Sequence, residues 1–315
     1  MPLPRSVFRR STPREDRDNG VPTMNTRIKK RFDQPLPSPA TPGWCRFCAA
    51  ILISLMPFAT LRADNQVWIT GRVFWDGTST NWEGNTTWAD GNAAVFNAGT
   101  GVVLVADDPV ASGLQINTTA TIADGSIILS AGSAISVASG ETATIDSTLN
   151  TLGDLTINNA DPAGDAGIVI LSGAYNFGGN TTITNNAWLG IETSGTLGTT
   201  LEVENNGTLS LGGVSPNAVS LNAPLSIAGT GAEGSDGAVH VNASVTRASL
   251  SGTIALSENA TIGSSGELSL GSEIDTEGHV LSVNATRSGL ITLSGPISGT
   301  GGGVTYDGGG RIILS

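Results

Sequence analysis

From about residue 101 the chain alternates apolar and polar positions in runs of four to six residues, separated by Gly, Asn, Asp and Ser. A period of two places successive side chains on opposite faces of a strand, so each run predicts a β-strand with one aliphatic and one polar face. One arrangement recurs: an apolar residue, a polar corner ending in Gly or Ala, then an alternating apolar pair. It appears as Ile122-Ala-Asp-Gly-Ser-Ile-Ile-Leu, Ile183-Thr-Asn-Asn-Ala-Trp-Leu-Gly-Ile, Val203-Glu-Asn-Asn-Gly-Thr-Leu-Ser-Leu and Ile262-Gly-Ser-Ser-Gly-Glu-Leu-Ser-Leu. Successive starts lie 61, 20 and 59 residues apart, all near multiples of 20. That spacing predicts a solenoid with about 20 residues per coil.

The expected architecture is therefore all-β: a parallel β-helix of the right-handed type over residues 101–315. Ile, Val and Leu would share one inner column, with Ser, Thr, Asn and Asp outside. Gly and Asn mark the corners because they reach left-handed backbone conformations at least cost. Roughly eleven coils at the ~4.8 Å strand spacing would form a stack about 50 Å long. An antiparallel sandwich is the alternative, since hairpins produce similar alternation, but hairpins require no 20-residue register.

Residues 64–100 break the pattern. Trp68, Trp75, Trp82 and Trp88, four of the six tryptophans, crowd into them. The segment is read as an amino-terminal cap that covers the first coil with aromatic bulk, as solenoid ends require. A carbohydrate-stacking platform is the alternative. Asp90-Gly91-Asn92 predicts a turn before Ala94-Val95-Phe96, suiting a short hairpin or a strand that joins the stack.

Residues 1–63 have a different character. Phe47 to Leu61 form a continuous apolar run preceded by Arg27, Lys29, Lys30, Arg31 and Arg46. At about 15 residues it is shorter than a helical membrane span, and it predicts a signal peptide cleaved after Ala63. Leu61 is larger than the usual residue at that position, and an uncleaved anchor is the alternative. The long Pro- and Arg-rich stretch ahead of the run suggests a start at Met24 rather than Met1. Cys45 and Cys48 fall within this part, leaving the mature chain without cysteine.

Charge sharpens the division. Residues 1–63 carry +7 and residues 64–315 carry −19, for a total of −12. The mature part has four arginines and no lysine, too few cations to neutralise a row of phosphates, so nucleic acid is excluded as a partner. Scarce aromatics and charged residues with 42 glycines also set the chain apart from disordered, charge-rich segments.

Candidate chemistry is sparse. His240 and His279 are the only histidines, and Arg72, Arg247, Arg287 and Arg311 are far apart in sequence. A proton-abstracting base beside a charge-stabilising cation is hard to assemble from these. Glu202 and Glu204 would share one strand face, but nothing marks them as buried. Asp107-Asp108 and Asp161 with Asp165 lack calcium-loop spacing and read as solvated turns. No catalytic residue, metal or cofactor is expected.

Trp75-Asp-Gly-Thr-Ser-Thr-Asn-Trp82 together with Trp88-Ala-Asp-Gly-Asn-Ala-Ala-Val-Phe96 resembles the opening of bacterial autotransporter-associated β-strand repeat proteins. Leu171-Ser-Gly-Ala-Tyr-Asn-Phe-Gly-Gly-Asn-Thr-Thr-Ile183 and Leu293-Ser-Gly-Pro-Ile-Ser-Gly-Thr-Gly-Gly-Gly-Val-Thr-Tyr306 resemble the family's repeat. The resemblance implies a parallel β-helix passenger, secreted or held at the cell surface. No series of barrel-forming strands follows, and Ile312 to Ser315 read as mid-strand. A fragment, or a covered last coil, is expected on that account. The function expected is a non-enzymatic stalk or adhesive passenger meeting glycans, extracellular matrix or other cells, with no membrane span after cleavage. A carbohydrate-binding module using the Trp cluster, or a polysaccharide lyase or glycosidase, are the alternatives.

Overall fold

The computed structural model describes residues 63–97, 99–212, 218–243, 247–286 and 288–315. The apolar run, both cysteines, Met1 and Met24 lie outside these residues.

Every strand pairing among the described residues is parallel, from Asn65–Val67 on Ala93–Phe96 through Leu290–Leu293 on Arg311–Leu314. Parallel neighbours exclude the sandwich alternative, because its hairpins pair strands antiparallel. The strands stack as a β-solenoid of about 10 turns. Among the described residues the regular structure is strand, apart from one 3₁₀ turn at Glu83–Asn85.

Each coil contributes strands to up to three faces, and side-chain parity holds on most of them, although Thr208–Leu211 and Val239–Val241 are buried on both sides. Leu155–Asn159 buries Leu155, Ile157 and Asn159 and leaves Thr156 and Asn158 partly exposed. Ala94, Leu114, Ile135, Ile157, Ile183, Val203, Ile227 and Leu256 stand in register as one inner column. Ile122, Ile145, Leu171, Ile191, Leu211 and Val241 form a second. On the third face, Leu221, Leu250, Leu270, Leu293 and Leu314 are aligned in a separate five-stranded ladder. One coil has no partner for its backbone groups or its apolar side; stacking supplies both.

Coil length departs from the expected constant 20. Ile183 pairs with Val203 at an offset of 20, but Leu155 pairs with Thr181 at 26 and Leu209 with Val239 at 30. The average spacing is about 22 residues. The physical reason lies at the corners. Extra residues such as those between Asn159 and Gly167, or between Gly229 and Val239, leave the stack as turns. Lengthening such a loop costs only a logarithmic entropy term and leaves the strands in place. Consequently Ile122 stands in the second column and Ile183 in the first, so their separation of about three times 20 reflects no shared position.

Corners also explain particular glycines. Gly198 has φ +90°, and a Cβ there would lie 1.7 Å from the carbonyl oxygen of Gly179 on the preceding coil. Both the backbone conformation and the close approach of the two coils require that residue.

Candidate functional site

Trp68, Trp75, Trp82 and Trp88 come together at the first coil. Asn65–Val67 and Phe74–Trp75 are already in the ladder, paired with Ala93–Phe96 and Gly101–Val105, so the Trp-rich segment is continuous with the stack. Between these strands, residues 76–92 fold back through isolated antiparallel bridges that join Trp82 to Trp68 and to Thr86. Asp90-Gly91 turns the chain, and Ala93–Phe96 then joins the stack as a parallel strand rather than as half of a hairpin.

The rings pack on each other. Trp75 and Trp82 are 0% exposed, Trp68 3% and Trp88 7%. Trp75 meets Trp88 at a centroid distance of 4.9 Å and 72°, and Trp68 meets Trp82 at 5.1 Å and 82°, both edge to face. Phe96 closes the group at 5.8 Å from Trp75. Edge-to-face pairs place the positive ring rim against the negative face of the next ring, adding about 0.5–1.5 kcal/mol per pair to the area term. With the indoles spent on one another, none presents a face to solvent.

Polar side chains hold the wrap in place. The Gln66 amide donates to the Thr87 carbonyl at 2.9 Å, and its oxygen accepts from Ala89 N at 2.8 Å. Asp90 Oδ1 accepts from Trp88 Nε1 and from Val110 N, both at 2.9 Å, linking the wrap to the next coil. Asn81 donates to the Phe74 carbonyl at 2.6 Å. Burial pushes the Asp76 carboxyl up, but donors from Ser79 and Thr78 outweigh that effect and hold it below the ordinary carboxylate range. Gln66, Asn81 and Asp90 carry no periodic signal; only the closing of the wrap gives them roles.

The other expected positions are dispersed. Asp107 and Asp108 are exposed, with φ of 63° and 45°, and Asp161 is exposed in a turn that Asn159 braces. Glu202 and Glu204 both face outward on Leu201–Val203 and the residue after it, and Thr184 donates to Glu204. Arg247 pairs with Glu267 at 2.9 Å on the surface, a geometry worth little to stability. Among the described residues no helix is long and apolar enough to cross a membrane.

His240 differs from these. It is 9% exposed, with Nδ1 3.6 Å from Asp236 Oδ2, beyond hydrogen-bond reach. Its ring meets Trp188 edge to face at 5.9 Å. Burial lowers its pKa and Asp236 only partly offsets that. A depressed folded-state value means the unfolded chain binds the proton more readily. The neutral side chain's contribution is thus complete above about pH 6.5 and is lost as pH falls through the lower folded value. Melting temperature is expected to fall with acidification from about pH 6.5, and His240→Gln to reduce that dependence. An unchanged pH profile in the variant would refute the assignment.

No family model, no curated protein and no solved structure matches the chain. What the residues and their geometry establish is a parallel β-solenoid repeat protein whose first coil is packed with tryptophan.

Proposed function

We propose that the protein is a non-enzymatic stalk or passenger, exported by its amino-terminal apolar segment and held outside the cell, as its resemblance to autotransporter-associated β-strand repeats implies. The observation that carries this reading is the uniform use of each coil. Inner positions go to aliphatic columns, outer positions largely to Ser, Thr and Asn, and most of the ionisable side chains lie at exposed positions along the stack. Such a surface repeats along the stack and suits weak contacts multiplied by number, with glycans, matrix or other cells as partners.

Two details support the reading. Ala63 is exposed, and the first coil begins directly after it: Asp64 N donates to Asn92 Oδ1 at 3.1 Å and the Asp64 carbonyl accepts from Ala93 N at 3.0 Å. Cleavage after Ala63 would leave that coil whole. The burial of Trp68, Trp75, Trp82 and Trp88 favours the cap over the stacking platform.

The test is expression of the full chain in a diderm bacterium, with fractionation and amino-terminal sequencing. A mature chain beginning at Asp64 and reached by protease added to intact cells is expected. Retention in the cytosol with residues 47–61 intact would overturn export. New reducing ends or unsaturated uronides released from a polysaccharide panel would overturn the non-enzymatic part.

A further inference from the structure

The sixth tryptophan stands apart from the cluster. Trp188 lies on Ala187–Ile191 between the buried Ala187 and Leu189, so its ring is on the outer side of the coil and only partly covered. It borders a row built by register: Thr121, Thr144, Ile170, Gly190, Ser210 and His240 follow one another on successive coils, the first three partly exposed and the last three largely covered. Two hollows lie along this row. One, of about 170 Å³, is walled by Trp188, Ile168 and Ile170 and rimmed by Glu192, Ser210 and Asn242. The other, of about 440 Å³, has Thr121, Thr144, Asp146 and Ser172 around it. Ile170 and Glu192 line both, so the two hollows adjoin.

We infer that this groove is a binding site for a neutral, linear oligosaccharide laid along the stack, with Trp188 as its stacking platform. The ligand class follows from the lining. A pyranose ring offers an apolar C–H face and an equator of hydroxyls. Trp188, Ile168 and Ile170 present the matching apolar surface, and Gly190 leaves a dip beside the indole because it has no side chain. Hydroxyls, an amide and the Glu192 and Asp146 carboxylates supply donors and acceptors at the rim. This is the usual make-up of a ligand site: an apolar floor with a few convergent polar groups.

Charge narrows the class further. Two carboxylates in a domain carrying −19 repel uronates and sulfated sugars, which removes the anionic oligosaccharides from the class. The indole is also preset. Buried His240 meets it edge to face at 5.9 Å, which fixes the ring and lowers the ordering cost on binding. From Thr121 to Ser210 the row that lines the hollows crosses four coil-to-coil steps, about 19 Å at ~4.8 Å each, room for several sugar units. The inference goes beyond the stalk reading and stands whether or not the chain is exported.

The experiment is calorimetry and tryptophan fluorescence on the full chain with cellotetraose, mannotetraose, xylotetraose and chitotetraose, and with tetragalacturonate as the charged comparison. At least one neutral tetramer is expected to bind and perturb Trp188 emission, with tetragalacturonate bound more weakly. Trp188→Ala should lower affinity about tenfold or more, with Trp188→Phe recovering part of it. Circular dichroism and the melting curve establish that each variant is folded. If Trp188→Ala misfolds, Glu192→Gln and Trp188→Phe carry the test through reduced affinity. The proposal fails if no neutral tetramer binds at millimolar concentration, if folded variants bind as the parent does, or if tetragalacturonate is preferred.

Discussion

Replacing Trp82 with alanine is expected to cost about 3–5 kcal/mol, because it removes the ring at the centre of the aromatic group and leaves a cavity. Trp82 is fully buried and contacts Trp68, Trp75, Trp88 and Phe96, with centroids 4.7–6.1 Å away. Its backbone also makes both isolated bridges of the wrap. Because coils contact only their neighbours, the loss should appear first at the amino-terminal end. Hydrogen exchange should accelerate over residues 65–96 while the strands after Leu155 stay protected. Uniform acceleration along the stack, or a melting curve unchanged from the parent, would contradict the capping role.

Ile183→Asp is expected to be at least as severe, at about 4 kcal/mol or more, because it places an unpaired charge in a dry column. Ile183 is 0% exposed and stands between Ile157 on one coil and Val203 on the next. In a stack with nearest-neighbour coupling, the substitution weakens both interfaces at once and divides the array. Trace protease should cut near the exposed corner at Asn185, releasing a shorter amino-terminal stack that remains β-rich. Thr156→Asp is the control: Thr156 faces outward on the adjacent coil, paired with Thr182, and its change should stay within about 0.5 kcal/mol. Equal effects for the two substitutions would mean that inner and outer positions are misassigned.

Inward and outward parity is legible in the sequence, whereas coil length is not. Ile122, Ile183, Val203 and Ile262, the apolar residues that open the recurrent motif, are all fully buried. Alternation is a local property, set by strand geometry, so it survives any change of stacking. Register between coils is not local. The extra residues around Asp161–Asp165 and between Gly229 and Val239 displace later coils by 6 and 10 residues from a 20-residue rule, with no mark in the strands themselves. Motifs on different faces then fall near multiples of 20 without being equivalent.

The binding groove shows the same division. Parity alone places Trp188 and Gly190 outward, since Leu189 and Ile191 are inward, and that signal was present in the residues. What it cannot supply is company. Thr121, Thr144, Ser210 and His240 reach the same row only because coils of unequal length bring them into register.

The chain by itself determines the β class, the inward and outward sets, and the chemical contrast between residues 1–63 and the acidic remainder. These depend on short-range periodicity and composition. Tertiary structure alone decides which coils are neighbours, which tryptophans bury their faces and which one keeps a face outside. The coil neighbours depend on contacts between residues 20 to 30 positions apart, and the Trp packing on ring contacts 6 to 14 apart within the wrap, where loop conformation sets the partner and the strand pattern is silent.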